Sequence, residues 1–133
     1  MDNLKDDNRC FACGKDNPIG LNLNFKSANG EAISAVVFTR DFEGWDGIVH
    51  GGIVSTVLDE VMVKSAGING YRCVTAEIKI KFKRPCFSGE RYVLKGRIKE
   101  LRKRIIITEG EIVDKKGDAI ATGSGKLFII ENQ

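Results

Sequence analysis

One stretch of this chain changes period. From Gly51 to about Ala66 the apolar residues Ile53, Val54, Val57, Leu58, Val61 and Met62 recur at three- and four-residue spacing, which is one arc of an α-helix. On either side the apolar residues recur at every second position, as in half-buried strands. Leu21, Leu23 and Phe25 alternate with Asn22, Asn24 and Lys26, and Asn29-Gly30 marks a two-residue hairpin turn into a strand at about 31–39. The helix is expected to stop at Gly67 and Asn69-Gly70, and strands are predicted at 73–83, 91–101, 104–113 and 119–130. Two strands, one long helix and four more strands joined by hairpin-length links define an α+β chain. Its mostly antiparallel sheet of about six strands wraps one central helix.

The other side of that helix carries Gly52, Ser55, Asp59, Val63 and Ala66, small or apolar apart from one acid. A face turned to water normally holds Lys and Glu, so this one is expected to pack against a second subunit. At 133 residues the chain is a single domain, read as 10–133 after a loose charged tail at 1–9. A chain of this length is not expected to hold a second lobe that closes over a substrate.

No apolar run approaches the ~20 residues of a spanning helix, and the polar, acidic N-terminus is wrong for a signal peptide. The reading is a cytoplasmic protein with no membrane association, its four Cys kept as thiols. A net charge of +3 is too mild to argue for nucleic acid, and no helix-turn-helix is present to reach it. The basic residues do cluster, at Lys79, Lys81, Lys83, Arg84 and again at Arg102, Lys103, Arg104. Cys10 and Cys13 have the spacing of a metal or redox pair. Zinc would need two more ligands, for which Cys73, Cys86 and His50 are the candidates, and the pair is read as a structural turn without metal.

Chemistry concentrates between Gly47 and Glu60. Gly51 and Gly52 open the helix, so their N–H groups are unhindered and lie at the positive end of its dipole. Such donors suit a carbonyl oxygen that becomes an oxyanion during acyl transfer. Asp59, two turns on, has the chemistry of a general base or nucleophile, whereas Glu60 points about 100° away around the helix. Gly52 and Asp59 are separated by roughly 10 Å along the axis, too far to converge on one carbon within a chain. Facing helices in a homodimer bring each to its counterpart.

His50-Gly51-Gly52 followed by Thr56-Val57-Leu58-Asp59 resembles the motif of hotdog-fold acyl-CoA thioesterases of the phenylacetate-pathway (PaaI-like) type. The likeness runs over about residues 10–130. It includes the Cys10-Phe-Ala-Cys13-Gly14 and Asn17-Pro18-Ile19-Gly20-Leu21 opening of one branch, and the segment from Thr75 to Pro85 with Gly89-Glu90. The resemblance implies a hotdog fold and hydrolysis of an acyl-CoA thioester without cofactor, in a homodimer or homotetramer. It implies that Gly51, with Gly52 beside it, polarises the thioester carbonyl, and that Asp59 of the opposite subunit activates water or attacks. Thr75 matches a hydroxyl residue that helps to place the water or the acid. His50 is expected to hold the loop or contact substrate. Several relatives carry an Asn upstream of the His, where this chain has Trp45, read as a wall of the acyl pocket or a loop anchor. Given CoA as substrate, Lys83, Arg84, Arg102 and Lys103 are candidates for its phosphates. An acyl-thioester dehydratase and a non-catalytic acyl-CoA-binding or sensing module are the alternative readings.

Overall fold

The computed structural model describes residues 4–132. Strands β1 (Lys26–Ala28) and β2 (Glu31–Val37) and a short 3-10 turn (Arg40–Phe42) precede the one α-helix of the described residues, α1 (Gly51–Ile68). Strands β3 (Tyr71–Phe82), β4 (Arg91–Arg102), β5 (Ile105–Val113) and β6 (Ala119–Asn132) follow it. All pair antiparallel in one six-stranded sheet of order β1-β2-β4-β5-β6-β3. The sheet curls around α1, whose Val54, Val57, Leu58, Val61 and Met62 are buried beneath it. This is the hotdog arrangement.

What lets a helix sit so deeply is a row of small residues across the sheet. Ala32 pairs with Gly96, Gly96 with Gly110, and Gly110 with Gly123, so four strands present almost no side chain along one line. Val61 and Met62 rest on that line. A Cβ added at Gly96 would lie 2.4 Å from the Val61 carbonyl oxygen, a backbone contact that no rotamer change relieves. Larger residues there would push the helix off the sheet and open the core.

The β1–β2 turn has Asn29 at φ 54° and Gly30 at φ 79°, the doubly left-handed backbone of a hairpin turn that matches strand twist. Asn69 ends α1, and its side-chain amide donates to the Ser65 carbonyl (2.7 Å) and to the Gly30 carbonyl (3.0 Å), tying helix end to hairpin. Gly67 lies inside the helix rather than at its stop.

Two further expectations need revision. The alternating run 21–25 is not a strand: Asn22 adopts φ 53°, and the backbone N–H groups of Leu21 and Leu23 donate to the carbonyls of Phe11 and Ala12 instead of a sheet neighbour. Its side chains still alternate, with Leu23 buried and Leu21 and Phe25 packed on the core. Ala66, assigned to the subunit-facing side, is fully buried with Cys73, Ile106 and Leu127, because the sheet curls far enough to cover the last helical turns. The tail read at 1–9 falls partly outside the described residues. Within them, Arg72 donates to the Leu4 carbonyl (2.7 Å) and Asp16 N–H to the Asn8 carbonyl (2.8 Å).

Candidate active site

Four backbone N–H groups open every α-helix without helical partners. In α1 the Gly52 N–H donates to Nδ1 of His50 at 2.9 Å, and those of Ile53 and Val54 go to the His50 carbonyl. The Gly51 N–H meets no acceptor among the described residues. His50 is therefore the N-cap, and because its Nδ1 accepts, the ring proton of the neutral imidazole sits on Nε2. The first turn contains no acid, so nothing on the helix itself offsets the positive end of its dipole. One uncommitted donor is left there, and it belongs to Gly51.

Midway along the helix, Thr75 Oγ1 donates to Asp59 Oδ1 at 2.6 Å, fixing the carboxylate against β3. A β-bulge makes this contact. Thr75 pairs with Leu127 and Glu77 with Lys126, so Ala76 is an extra residue in β3. Past the bulge, Ile80 packs on the core at an even position, whereas before it Cys73 is buried and Thr75 meets the helix at odd ones. Bulges re-aim side chains in this way beside functional sites. The letters carry this parity change, since Thr75 stands at an odd position and Ile80 at an even one. Gly51 and Asp59 remain roughly 12 Å apart along the helix.

The loop before the helix is braced from the opposite side. Val49 N–H donates to the Cys86 carbonyl and Ser88 N–H to the Gly47 carbonyl, while Tyr92, buried in the core, accepts from Phe87 N–H at 2.8 Å. Ser88 Oγ donates to Glu43 Oε2 at 2.5 Å, which with the Gly47 N–H and Arg40 holds the Glu43 carboxyl below its ordinary value. Sequence reading missed this clasp because its members lie 45 residues apart.

Two cavities meet at Gly51. One of about 370 Å³ is lined by Ile48, Gly51, Phe82, Lys83 and Cys86. The other, of about 430 Å³, is lined by Gly44, Trp45, Ile48, His50 and Gly51. Trp45 is 83% exposed and Phe82 56% exposed, so large apolar surfaces stand open beside the free amide.

The four cations picked out from the sequence separate into two groups. Lys83 lies beside Gly51, whereas Arg84 is committed to Asp118 (3.3 Å) and Asp114 (3.9 Å). Arg102 binds Glu100 at 2.7 Å, and Lys103 occupies the β4–β5 turn at φ 51°. Arg102 lines up through Ile105 and Phe128 with Val74 of β3, eight residues from Phe82 and so roughly 26 Å away. A protomer does not bring the two groups together.

Glu60 leaves the Asp59 side, as its helical position requires, and meets the N-terminal cysteine loop. It accepts from Cys10 Sγ at 3.1 Å and from Cys13 Sγ at 3.8 Å. Burial, then the Glu60 charge, push the Cys13 thiol up to about 12. All four cysteines are free thiols.

A model of the thioesterase superfamily matches residues 46–121, from the helix-opening loop to β6. Protein RHA08564, described as a thioesterase superfamily protein, is 25% identical with a TM-score of 0.86, covering 92% of this chain and 60% of its own. The smu.793 protein of Streptococcus mutans, solved with acetyl CoA bound, is 17% identical (TM-score 0.78; 84% of this chain, 91% of that one). PaaI of E. coli is 22% identical (TM-score 0.77; 85% and 83%). An uncharacterized mitochondrial protein of Candida albicans is 31% identical over 77% of this chain, which spans about half (49%) of that relative's length. With more than half of its length matched by the family model, the chain belongs to the thioesterase superfamily and has the hotdog fold of PaaI.

Proposed function

We propose that the protein is an acyl-CoA thioesterase that cleaves an acyl- or aryl-CoA to free CoA and a carboxylic acid, with sites shared across a homodimer. The observation that carries this reading is the pairing of one uncommitted amide, at Gly51, with one carboxylate held by a hydroxyl, Asp59 on Thr75. The thioester carbonyl oxygen accepts from the Gly51 N–H, which stabilises the negative charge that develops there. Asp59 of the facing helix takes a proton from water as its oxygen bonds to the carbonyl carbon. Collapse of the tetrahedral adduct breaks the C–S bond, and the proton held by Asp59 passes to the departing sulfur.

Trp45 and Phe82 offer apolar walls for the acyl group, and Lys83 a charge for CoA. That CoA is the carrier is supported by acetyl CoA in the S. mutans structure. Among the described residues no helix is long and apolar enough to cross a membrane; the cytoplasm is our reading of its location.

Release of free CoA across a panel of acyl- and aryl-CoA thioesters, for wild type and Asp59→Asn, tests the assignment. Loss of a positioned base is worth about 10²–10⁴ in rate, so the variant should fall by at least about a hundredfold on the best substrate. Equal rates in the two proteins would remove Asp59 from the mechanism. Binding without turnover for any thioester would make the protein an acyl-CoA-binding module instead.

A further inference from the structure

Outside the site, one cluster brings together side chains of a kind that bind soft and borderline metals. The Sγ atoms of Cys10 and Cys13 and a Glu60 carboxylate oxygen lie within 4.8 Å of one another. We propose that Cys10, Cys13 and Glu60 form a zinc-binding site that fastens the N-terminal segment to α1, independent of the thioesterase reading. In a tetrahedral site with Zn–S near 2.3 Å and Zn–O near 2.0 Å, ligand atoms are separated by roughly 3.5–3.8 Å. Cys10 Sγ lies 3.1 Å from Oε2 of Glu60 and Cys13 Sγ 3.8 Å from Oε1, so each thiol is within a few tenths of an ångström of that edge from one of the two carboxylate oxygens.

The loop carrying the two thiols is fastened by backbone hydrogen bonds on both sides of the pair. Gly14 N–H donates to the Cys10 carbonyl at 2.8 Å, closing the Cys10–Cys13 turn, and Leu21 and Leu23 bond to the two residues between the thiols. A Cβ at Gly14 would sit 2.4 Å from Cys10 N and 2.6 Å from the Asn8 carbonyl oxygen, so only glycine allows this closure. Ala12 is buried in the core and anchors the loop from below. The third ligand comes from a helix, a support that is equally fixed. A cavity of about 480 Å³ reaches all three ligands from solvent; its wall also carries Asp6, Asp7, Lys5, Lys64 and Arg72.

On binding, Cys10 and Cys13 each release the S–H proton to solvent as their Zn–S bonds form. The Glu60 carboxylate makes the third bond and a solvent water the fourth, with no change of oxidation state. The protein supplies three ligands, and the resulting complex carries one net negative charge, next to Lys64 on the same cavity wall. The sequence pairing of Cys10 with Cys73, Cys86 or His50 is not the one the fold makes; the third ligand is an acid 47 residues beyond Cys13.

Titration of the tag-free, fully reduced protein with Zn²⁺ and, for its spectrum, Co²⁺ tests the site. One equivalent should bind, with a thiolate-to-cobalt charge-transfer band, and saturating Zn²⁺ should raise Tm by roughly 5–10 °C. Glu60→Gln should keep the band and weaken binding at least about tenfold; Cys10→Ser, at an exposed position, should remove most of the band. Zn²⁺ should also protect Cys10 and Cys13 of the wild-type protein from alkylation, as read by peptide mass spectrometry. Absence of that protection, or equal affinity in wild type and both variants, overturns the proposal. None of these readouts uses catalysis, so failure here is separable from failure of the thioesterase reading.

Discussion

Gly51 is the residue on which the proposed chemistry turns, and its place at the first helical position makes its amide open to an unusually clean test. Proline is accepted at that position because the N–H it lacks has no helical partner, and its fixed φ suits the helix. The preceding residue, His50, already has ψ 136°, which proline tolerates. A Cβ at Gly51 would meet only the Phe82 ring at 3.7 Å, an ordinary contact. Gly51→Pro should therefore fold with a Tm near that of wild type while losing the oxyanion donor, worth about 10²–10³ in kcat. Retained activity in a folded Gly51→Pro protein would place the carbonyl elsewhere. At this scale the sequence was informative where chemistry is local: two glycines at a helix start and one acid on a small-residue face need no partner to be noticed. It was silent on Glu60, read only as pointing away from Asp59, because its partners Cys10 and Cys13 are brought to it by the fold. The bulge at Ala76 lay between, its parity switch present in the letters but easily absorbed into a regular strand.

At the scale of elements, sheet and helix were readable from two periodicities, and the errors fell where a periodic segment found an irregular partner. Residues 21–25 keep their alternating side chains but bond to the cysteine loop, so pattern located the core face without locating the strand. The row Ala32, Gly96, Gly110, Gly123 was not legible, since its members align only once the register is known. The loop presenting Gly51 depends on a different long-range feature, the Glu43–Ser88 clasp. The Glu43 carboxyl lies below its ordinary 4.5, first through the Ser88 hydroxyl and then the Gly47 N–H. A group depressed on folding contributes stability above its unfolded value, and that contribution disappears as pH falls through the folded value. Melting temperature should thus decline below about pH 4.5, and Glu43→Gln should flatten part of that decline while lowering Tm at pH 7. Parallel acid limbs in the two proteins would show that the clasp carries no linkage.

For the whole molecule, the proposed homodimer raises the question of what this 133-residue chain offers a second copy. In the sheet, β1 closes one margin with three residues, whereas β3 leaves twelve at the other, an edge long enough to pair with its own copy. The helix offers Gly52, Ser55 and Asp59 on its uncovered side. A two-fold contact that sets Gly51 of one protomer against Asp59 of the partner subunit places the axis at Ser55, midway between them. Ser55 is small, and its hydroxyl already donates to the Gly51 carbonyl at 2.9 Å, so two helices approach there without stranding a polar group. If each site draws its amide from one chain and its carboxylate from the other, two inactive variants should repair one another. Mixing Asp59→Asn with Gly51→Pro and allowing exchange makes hybrids with one doubly damaged site and one intact site. With half of the dimers hybrid, about a quarter of wild-type activity should return at equal mixing, and half the hybrid sites should titrate with a tight substrate analogue. A site built within one chain would stay dead at every ratio. Rescue that rises with the hybrid fraction, measured by native mass spectrometry of the same mixtures, would fix the site at the subunit interface and explain how one modest domain does work that requires two walls.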